Sequence, residues 1–288
     1  MREAGINLVR VGEFAWAFLE PEEGRFDLGW LGRILDRCHR VGIGVILGTP
    51  SAAPPRWLSA KYPETLRVDV DGKPWGHGSR CHASHASERY RALSCRIAEG
   101  MAKAFGRHPA LSAWQVDNEL LCHVGPDFSE ASGKAWTAWL KAKYRSVAAL
   151  NARWGTGVWS QSYPSFASVP MPGKTPYLHH GALLTDWYRF TSACSASFFA
   201  EQAAVIRRHS KAPVTHNHVI WDRVYAEDLF EKADFASADF YVPHDRLWEQ
   251  FRILDLMRGI KPGVPYVLME PSPSQNGDTA PGHAAHPD

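Results

Sequence analysis

Leu111-Ser112-Ala113-Trp114-Gln115-Val116-Asp117-Asn118-Glu119 and Tyr266-Val267-Leu268-Met269-Glu270 decide how this chain reads. Each is a short apolar run of the kind that forms a buried strand, and each stops on a carboxylate. Four further runs share their character: residues 6–11, 43–47, 213–219 and 235–242. Helix-period segments lie between them. Trp30, Leu31, Ile34, Leu35 and Cys38 form one stripe, stopped by Gly42. Tyr90, Leu93, Ile97 and Met101 form a second over residues 87–105, ended by Gly106 and Pro109. Trp136, Trp139, Leu140 and Tyr144 mark a helix over 132–145. Leu184, Trp187, Cys194, Phe198 and Ile206 mark a long one over 182–209. Strands alternating with helices predict a parallel sheet of the α/β class, and the chain length suits a single (β/α)8 TIM barrel.

Eight strands close such a barrel, and six are legible. The barrel is therefore expected to be incomplete, spanning residues 1–274 and lacking its first and last strands. Met1-Arg2-Glu3-Ala4-Gly5 reads as the end of a helix. Residues 275–288 are rich in Gly, Pro, His and Asp without periodicity, and a disordered tail is expected there.

Composition narrows the function. The 288 residues carry a net charge of +2 with no basic block, so neither nucleic acid nor a membrane surface is an expected partner. No apolar run reaches the roughly 18 residues of a membrane span, and no leader segment is legible, so the expected location is cytoplasmic. Five scattered cysteines without a CxxC pair argue against a disulfide framework or a structural zinc. The 12 tryptophans exceed ordinary usage. Most are expected in the core, the remainder on a site that stacks flat sugar faces.

In a barrel the strand C-termini share one mouth, so Glu119 and Glu270 are placed to face each other across it. Two opposed carboxyl groups are the equipment of glycoside hydrolysis. Glu119 would then be the acid/base and Glu270 the nucleophile. Asn118 is placed to bind the sugar 2-hydroxyl, and Arg80 to hold the nucleophile ionised or bind a sugar hydroxyl. Glu13 is a candidate supporting carboxylate. The alternative for Asn118-Glu119 is a helix cap, and for Glu270 an ordinary strand-end charge. His216-Asn217-His218 puts two rings on one strand face with no evident third ligand, so no metal is expected there.

Several segments, in order, resemble glycoside hydrolase family 42, the β-galactosidases. They are Val9-Arg10-Val11-Gly12-Glu13-Phe14-Ala15-Trp16, residues 20–27, Leu47-Gly48-Thr49-Pro50 and Gly78-Ser79-Arg80. Trp114 to Glu119, Asn151-Ala152-Arg153-Trp154-Gly155-Thr156, Trp159-Ser160-Gln161 and Met269 to Ser274 continue the likeness. The resemblance implies retaining hydrolysis of terminal β-D-galactosides, with Glu119 and Glu270 catalytic and Arg80 and Asn118 on the sugar. Trp159 and Tyr241 match aromatic wall positions.

The resemblance also implies a homotrimer, with trimerisation and C-terminal β domains that are expected to be absent here. Many members bind zinc through cysteines after the acid/base and one near Gly-Ser-Arg. Residues 126–133 here have none, and Ser84 stands at the remote position, so neither zinc nor another cofactor is expected. Asn276-Gly277-Asp278 replaces the family's tryptophan-bearing motif after the nucleophile. Related specificities, β-fucosidase or α-L-arabinopyranosidase, are the nearest alternatives. A fragment that binds sugar without turning it over is the alternative from another class.

Overall fold

The computed structural model describes residues 1–219, 223–241 and 246–271. The expected tail at 275–288 lies outside the described residues. Strand β1 (Leu8–Val11) is followed by the short α1 (Trp16–Leu19), α2 (Gly29–Arg40) and β2 (Gly44–Gly48). Then come α3 (Arg56–Lys61), α4 (Glu88–Phe105) and β3 (Leu111–Gln115). A helical excursion follows, α5 (Glu130–Tyr144) and α6 (Val147–Trp154), before the long α7 (Gly181–Arg207). The remainder is β4 (Val214–Thr215), β5 (His218–Val219), α8 (Ala226–Phe230), β6 (Ser237–Phe240), α9 (Leu247–Ile260) and β7 (Val267–Pro271).

All pairings between these strands are parallel, in the orders β1-β2-β3-β4 and β5-β6-β7, so within each sheet a strand lies beside the next in sequence. The sequence reading of 213–219 as one strand is corrected here, because His216 and Asn217 leave the ladder and divide it into β4 and β5. Two ends also move. β3 stops at Gln115, four residues before Glu119, whereas β7 runs through Glu270 to Pro271.

The helices form where the apolar stripes and caps agree. Ser87, Ser129 and Ser146 accept the Tyr90, Ser132 and Ala149 amides at the starts of α4, α5 and α6. Gly155, at φ 70°, ends α6 in the left-handed conformation. The main core joins Leu31, Leu35, Val45, Leu47, Ile97, Met101, Trp114, Phe198, Phe199 and Val214. A satellite core of Trp136, Leu140, Leu150, Trp154, Leu183 and Trp187 seats the α5–α6 excursion on the first half of α7. Leu183, not the predicted Leu184, takes the buried position, and Ile34 is exposed beside buried Leu35. Trp16, Trp114, Trp136, Trp154 and Trp187 are buried, the core use expected of most tryptophans.

One close approach fixes the mouth of the first sheet. A Cβ on Gly48 would stand 2.7 Å from Glu13 Cβ and 2.9 Å from its backbone Cα and N. The end of β2 can touch the turn after β1 only because residue 48 lacks a side chain. Gly48→Ala is expected to destabilise the fold by about 1–3 kcal/mol, read as a lower urea midpoint. An unchanged midpoint would mean that the two backbones separate at no cost.

Candidate active site

Beyond β3 the chain turns sharply, with Asp117 at φ 59° and Glu119 at φ 45°. Left-handed backbone at non-glycine residues is uncommon, and it persists where surrounding contacts hold it. Here the Asp117 amide donates to Thr49 Oγ1 at 2.9 Å and Gln115 Nε2 donates to the Asp117 carbonyl at 2.8 Å. The Asp117 carboxylate accepts Ser51 Oγ at 2.5 Å and the Asn118 amide at 2.7 Å. Burial nevertheless pushes its pKa up to about 6. No helix begins within this turn, since α5 starts at Glu130, and Asn118-Glu119 is therefore not a helix cap.

The break between β4 and β5 reaches into the same turn. His216 Nδ1 lies 2.8 Å from the Val116 carbonyl, and its Nε2 accepts the Leu120 amide at 3.4 Å. Nδ1 therefore carries the proton. Burial, the largest influence, holds the ring neutral and depresses its pKa to about 3. Asn217 Oδ1 accepts the Glu119 amide at 3.3 Å. Its Nδ2 faces Asn118 Oδ1 at 2.9 Å, Asp239 Oδ2 at 2.5 Å and Glu270 Oε1 at 3.5 Å. Leaving the strand ladder is what allows residues 216 and 217 to serve these partners.

Glu119 and Glu270 meet as the strand-end reading expected, together with a third carboxyl group. Oxygens of Glu119, Asp239 and Glu270 all lie within 4.8 Å of one another. Glu119 Oε2 accepts Arg80 Nη1 at 2.5 Å and Asn118 Nδ2 at 3.2 Å. Glu270 Oε1 is paired with Arg10 Nη2, and its Oε2 accepts the Tyr241 hydroxyl at 2.5 Å. Burial raises the Glu270 pKa, but the Tyr241 hydrogen bond and the Arg10 charge outweigh it, leaving the group below the ordinary glutamate range.

Arg80, expected beside the nucleophile or on sugar, thus sits on Glu119. The cation on Glu270 is Arg10, held in turn by Glu13 Oε1 at 3.1 Å and Gln115 Oε1 at 3.2 Å. Glu13 therefore occupies the supporting position expected of it. Arg10, Asn217 and Asp239 were missed in sequence. The available signal was a charged or amide residue inside an otherwise apolar strand, which needs a partner or a task.

Trp159 is 77 % exposed, with its ring 5.9 Å from Tyr177. Among the described residues no hydrogen bond or ring contact joins it to the carboxyl cluster. A cleft of about 770 Å3, lined by Arg10, Glu13, Phe14, Phe18 and Trp30, opens beside Arg10. The Arg80 guanidinium lies 6.0 Å from the centroid of the Phe14 ring on that wall.

Glu119, Asp239 and Glu270 form the one candidate cation cluster among the described residues. Arg10 and Arg80 already supply positive charge to two of the three, which removes much of the attraction a cation would feel. Ser84, Asp127 and Ser129 meet in a buried knot. Asp127 Oδ2 accepts Ser84 Oγ at 2.5 Å and Ser129 Oγ at 2.9 Å, while Oδ1 accepts the Val68 and Ser129 amides at 3.1 and 3.0 Å. These hydrogen bonds tie residues 127–129 to Val68 and to Ser84, four residues after Arg80. Among the described residues, no helix is long and apolar enough to cross a membrane.

Known proteins align with this arrangement along nearly the whole chain. The sequence pattern of the family described as Beta-galactosidase (Glyco_hydro_42) matches residues 1–287. Beta-galactosidase YesZ from Bacillus subtilis (strain 168) is 42% identical over 274 residues, covering 95% of this chain and 41% of the relative. The structure of the cold-adapted β-galactosidase from Rahnella sp. R3 superposes with a TM-score of 0.94 at 33% identity, covering 100% of this chain and 43% of that one. A catalytic mutant of Gan42B, a GH42 β-galactosidase from G. stearothermophilus, superposes with a TM-score of 0.88 at 33% identity, covering 95% and 42%. The chain spans less than half the length of these relatives. With the family pattern running from residue 1 to 287 and two glutamates meeting at the strand ends, the chain belongs to glycoside hydrolase family 42, the β-galactosidases.

Proposed function

We propose that this chain carries the catalytic centre of a retaining β-galactosidase, and that its two parallel sheets are consecutive parts of one (β/α)8 barrel. The observation that carries the reading is the approach of Glu119 and Glu270, with oxygens within 4.8 Å. Carboxyl groups about 5–5.5 Å apart favour attack by one of them on the sugar, whereas roughly 6.5–9.5 Å leaves room for an intervening water. Oxygens this close are compatible with the shorter separation, and with it retention.

Glu270, kept anionic by Arg10 and Tyr241, attacks the anomeric carbon as the glycosidic C–O bond breaks. Glu119 gives its proton to the departing oxygen. The resulting glycosyl ester is cleaved by water, from which Glu119 takes a proton, and a second displacement restores the original configuration. Arg80 moves from Glu119 to a sugar hydroxyl when substrate enters, freeing the acid/base to carry its proton. Asn118 donates to the 2-hydroxyl, a bond that tightens as positive charge develops on the ring. Tyr241 borders the sugar through its contact with the nucleophile, and Trp159 serves as a wall residue. No step calls for a cofactor.

The test is a panel of nitrophenyl glycosides with anomeric configuration followed by NMR. The β-D-galactoside is expected to be cleaved fastest, with the β-anomer of galactose as first product. Preference for β-D-fucoside or α-L-arabinopyranoside would move the specificity to those sugars, which differ from galactose mainly around C5 and C6. An α-anomer as first product would overturn retention. Binding of galactose without turnover of any substrate would overturn the catalytic reading.

A further inference from the structure

Three carboxyl groups crowd one point in this site, and their donors are shared unequally. Glu270 has Arg10 and Tyr241, and Glu119 has Arg80 and Asn118. Asp239, only 1 % exposed, has Asn217 on Oδ2, while its buried Oδ1 has no hydrogen-bond partner among the described residues. The β6–β7 register sets Asp239 opposite Glu270 on the neighbouring strand. Like charges at directly opposed positions repel, and a buried carboxylate oxygen without a donor is costly.

We propose that Asp239 is a positioning residue for the two glutamates, held as the neutral acid so that the three-carboxyl cluster carries a single negative charge throughout the reaction. The proposal rests on the roles given above to Glu119 and Glu270. Once substrate is bound and Arg80 has moved to the sugar, Glu270 is the anion, and Glu119 and Asp239 each hold a proton. When the glycosyl ester forms, Glu270 loses its charge and Glu119, having passed its proton to the leaving oxygen, gains one. The Asp239 proton is never transferred. It keeps the third carboxyl group from adding a second charge against either glutamate, and it leaves Asp239 Oδ2 as the acceptor that orients Asn217, whose own Oδ1 holds the Glu119 amide.

The surroundings agree with this charge state. Among the described residues, Arg10, Tyr241 and Arg80 are the charged or titratable groups bonded to the cluster's two glutamates. Burial is the largest influence on Asp239. The Glu270 and Glu119 charges act with it, and together they hold its pKa well above the ordinary aspartate range against Arg10 and Asn217. A carboxyl group whose folded pKa exceeds its unfolded value, about 3.9, contributes stability that is full below that value. The contribution is lost as pH rises toward the folded value. An asparagine stays neutral at every pH and escapes the loss.

The experiment compares Asp239→Asn and Asp239→Ala with the unaltered chain in thermal melts from pH 5 to 8 and in pH–rate profiles on a nitrophenyl β-galactoside. The Asn variant is expected to gain melting temperature over the unaltered chain by about 2–4 °C per pH unit as pH rises. In turnover, Ala is expected to lower kcat by about a hundredfold and Asn to restore at least tenfold of that. The alkaline limb should become a one-proton decline in the Asn variant, in place of the two-proton decline of the unaltered chain. A melting difference that is flat or reversed with pH overturns the proposal, as does an Asn variant no more active than Ala. A chain without β-galactosidase activity would overturn the reading of the site, while the melts would still decide the charge of Asp239.

Discussion

Glu270→Gly is expected to reduce hydrolysis of a nitrophenyl β-galactoside by about 10⁴-fold or more, and added azide to restore much of it. The glycine removes the atom that bonds to the anomeric carbon and leaves a void on that face of the sugar. Azide, a small anion, fits the space beside Arg10 and Tyr241, both of which are placed for negative charge at this point. It attacks from the side the glutamate used, in one displacement, so the galactosyl azide should have the α configuration. Rescue giving the β-azide would exclude Glu270 as nucleophile, and loss without rescue by any small anion would count against the assignment.

Glu119→Ala should separate substrates by their leaving groups. For lactose or an alkyl galactoside, whose alkoxide cannot depart unprotonated, a loss of about 10²–10⁴-fold is expected. A dinitrophenyl galactoside expels a stable phenolate unaided, so its first step should be nearly spared. The second step then lacks a base to activate water, and the galactosyl ester on Glu270 should accumulate as a burst detectable by intact-protein mass. Azide needs no base, and its attack on that ester gives the β-azide, the opposite configuration from the Glu270 variant. Uniform loss across all leaving groups would remove Glu119 from the proton-transfer role.

Glu119 and Glu270 were legible in sequence because each ends an apolar run, and the parallel α/β pattern brings strand C-termini together. The stripes of α4, α5 and α7 were legible for a similar reason: burial on one face imposes a helical period. Arg10 and Asp239 carry the same signal as Glu270, a charge within a buried strand, yet Val11 and Phe240-Tyr241 follow them, so neither ends its apolar run and both look structural. Arg80 was found, but its partner was not, because which carboxylate a long side chain reaches depends on loop path rather than on local pattern. The division between β4 and β5 was illegible for another reason. His216 and Asn217 have partners at residues 116, 118, 119, 120, 239 and 270, and those tertiary hydrogen bonds outweigh the local preference to continue the strand.

That arrangement at Asn217 bears on how the site can be re-engineered. One amide serves residues from three separate stretches of chain, so a replacement at Asn118, Asp239 or Glu270 also changes the geometry offered to the other two. Effects at these positions should not add in double-mutant cycles, and the coupling of Asn118 to Asp239 and Glu270 should shrink in an Asn217→Ala background, leaving the direct charge coupling of the two carboxyl groups. A library that varies them one at a time would discard combinations that succeed only together, whereas joint randomisation around residue 217 would retain them.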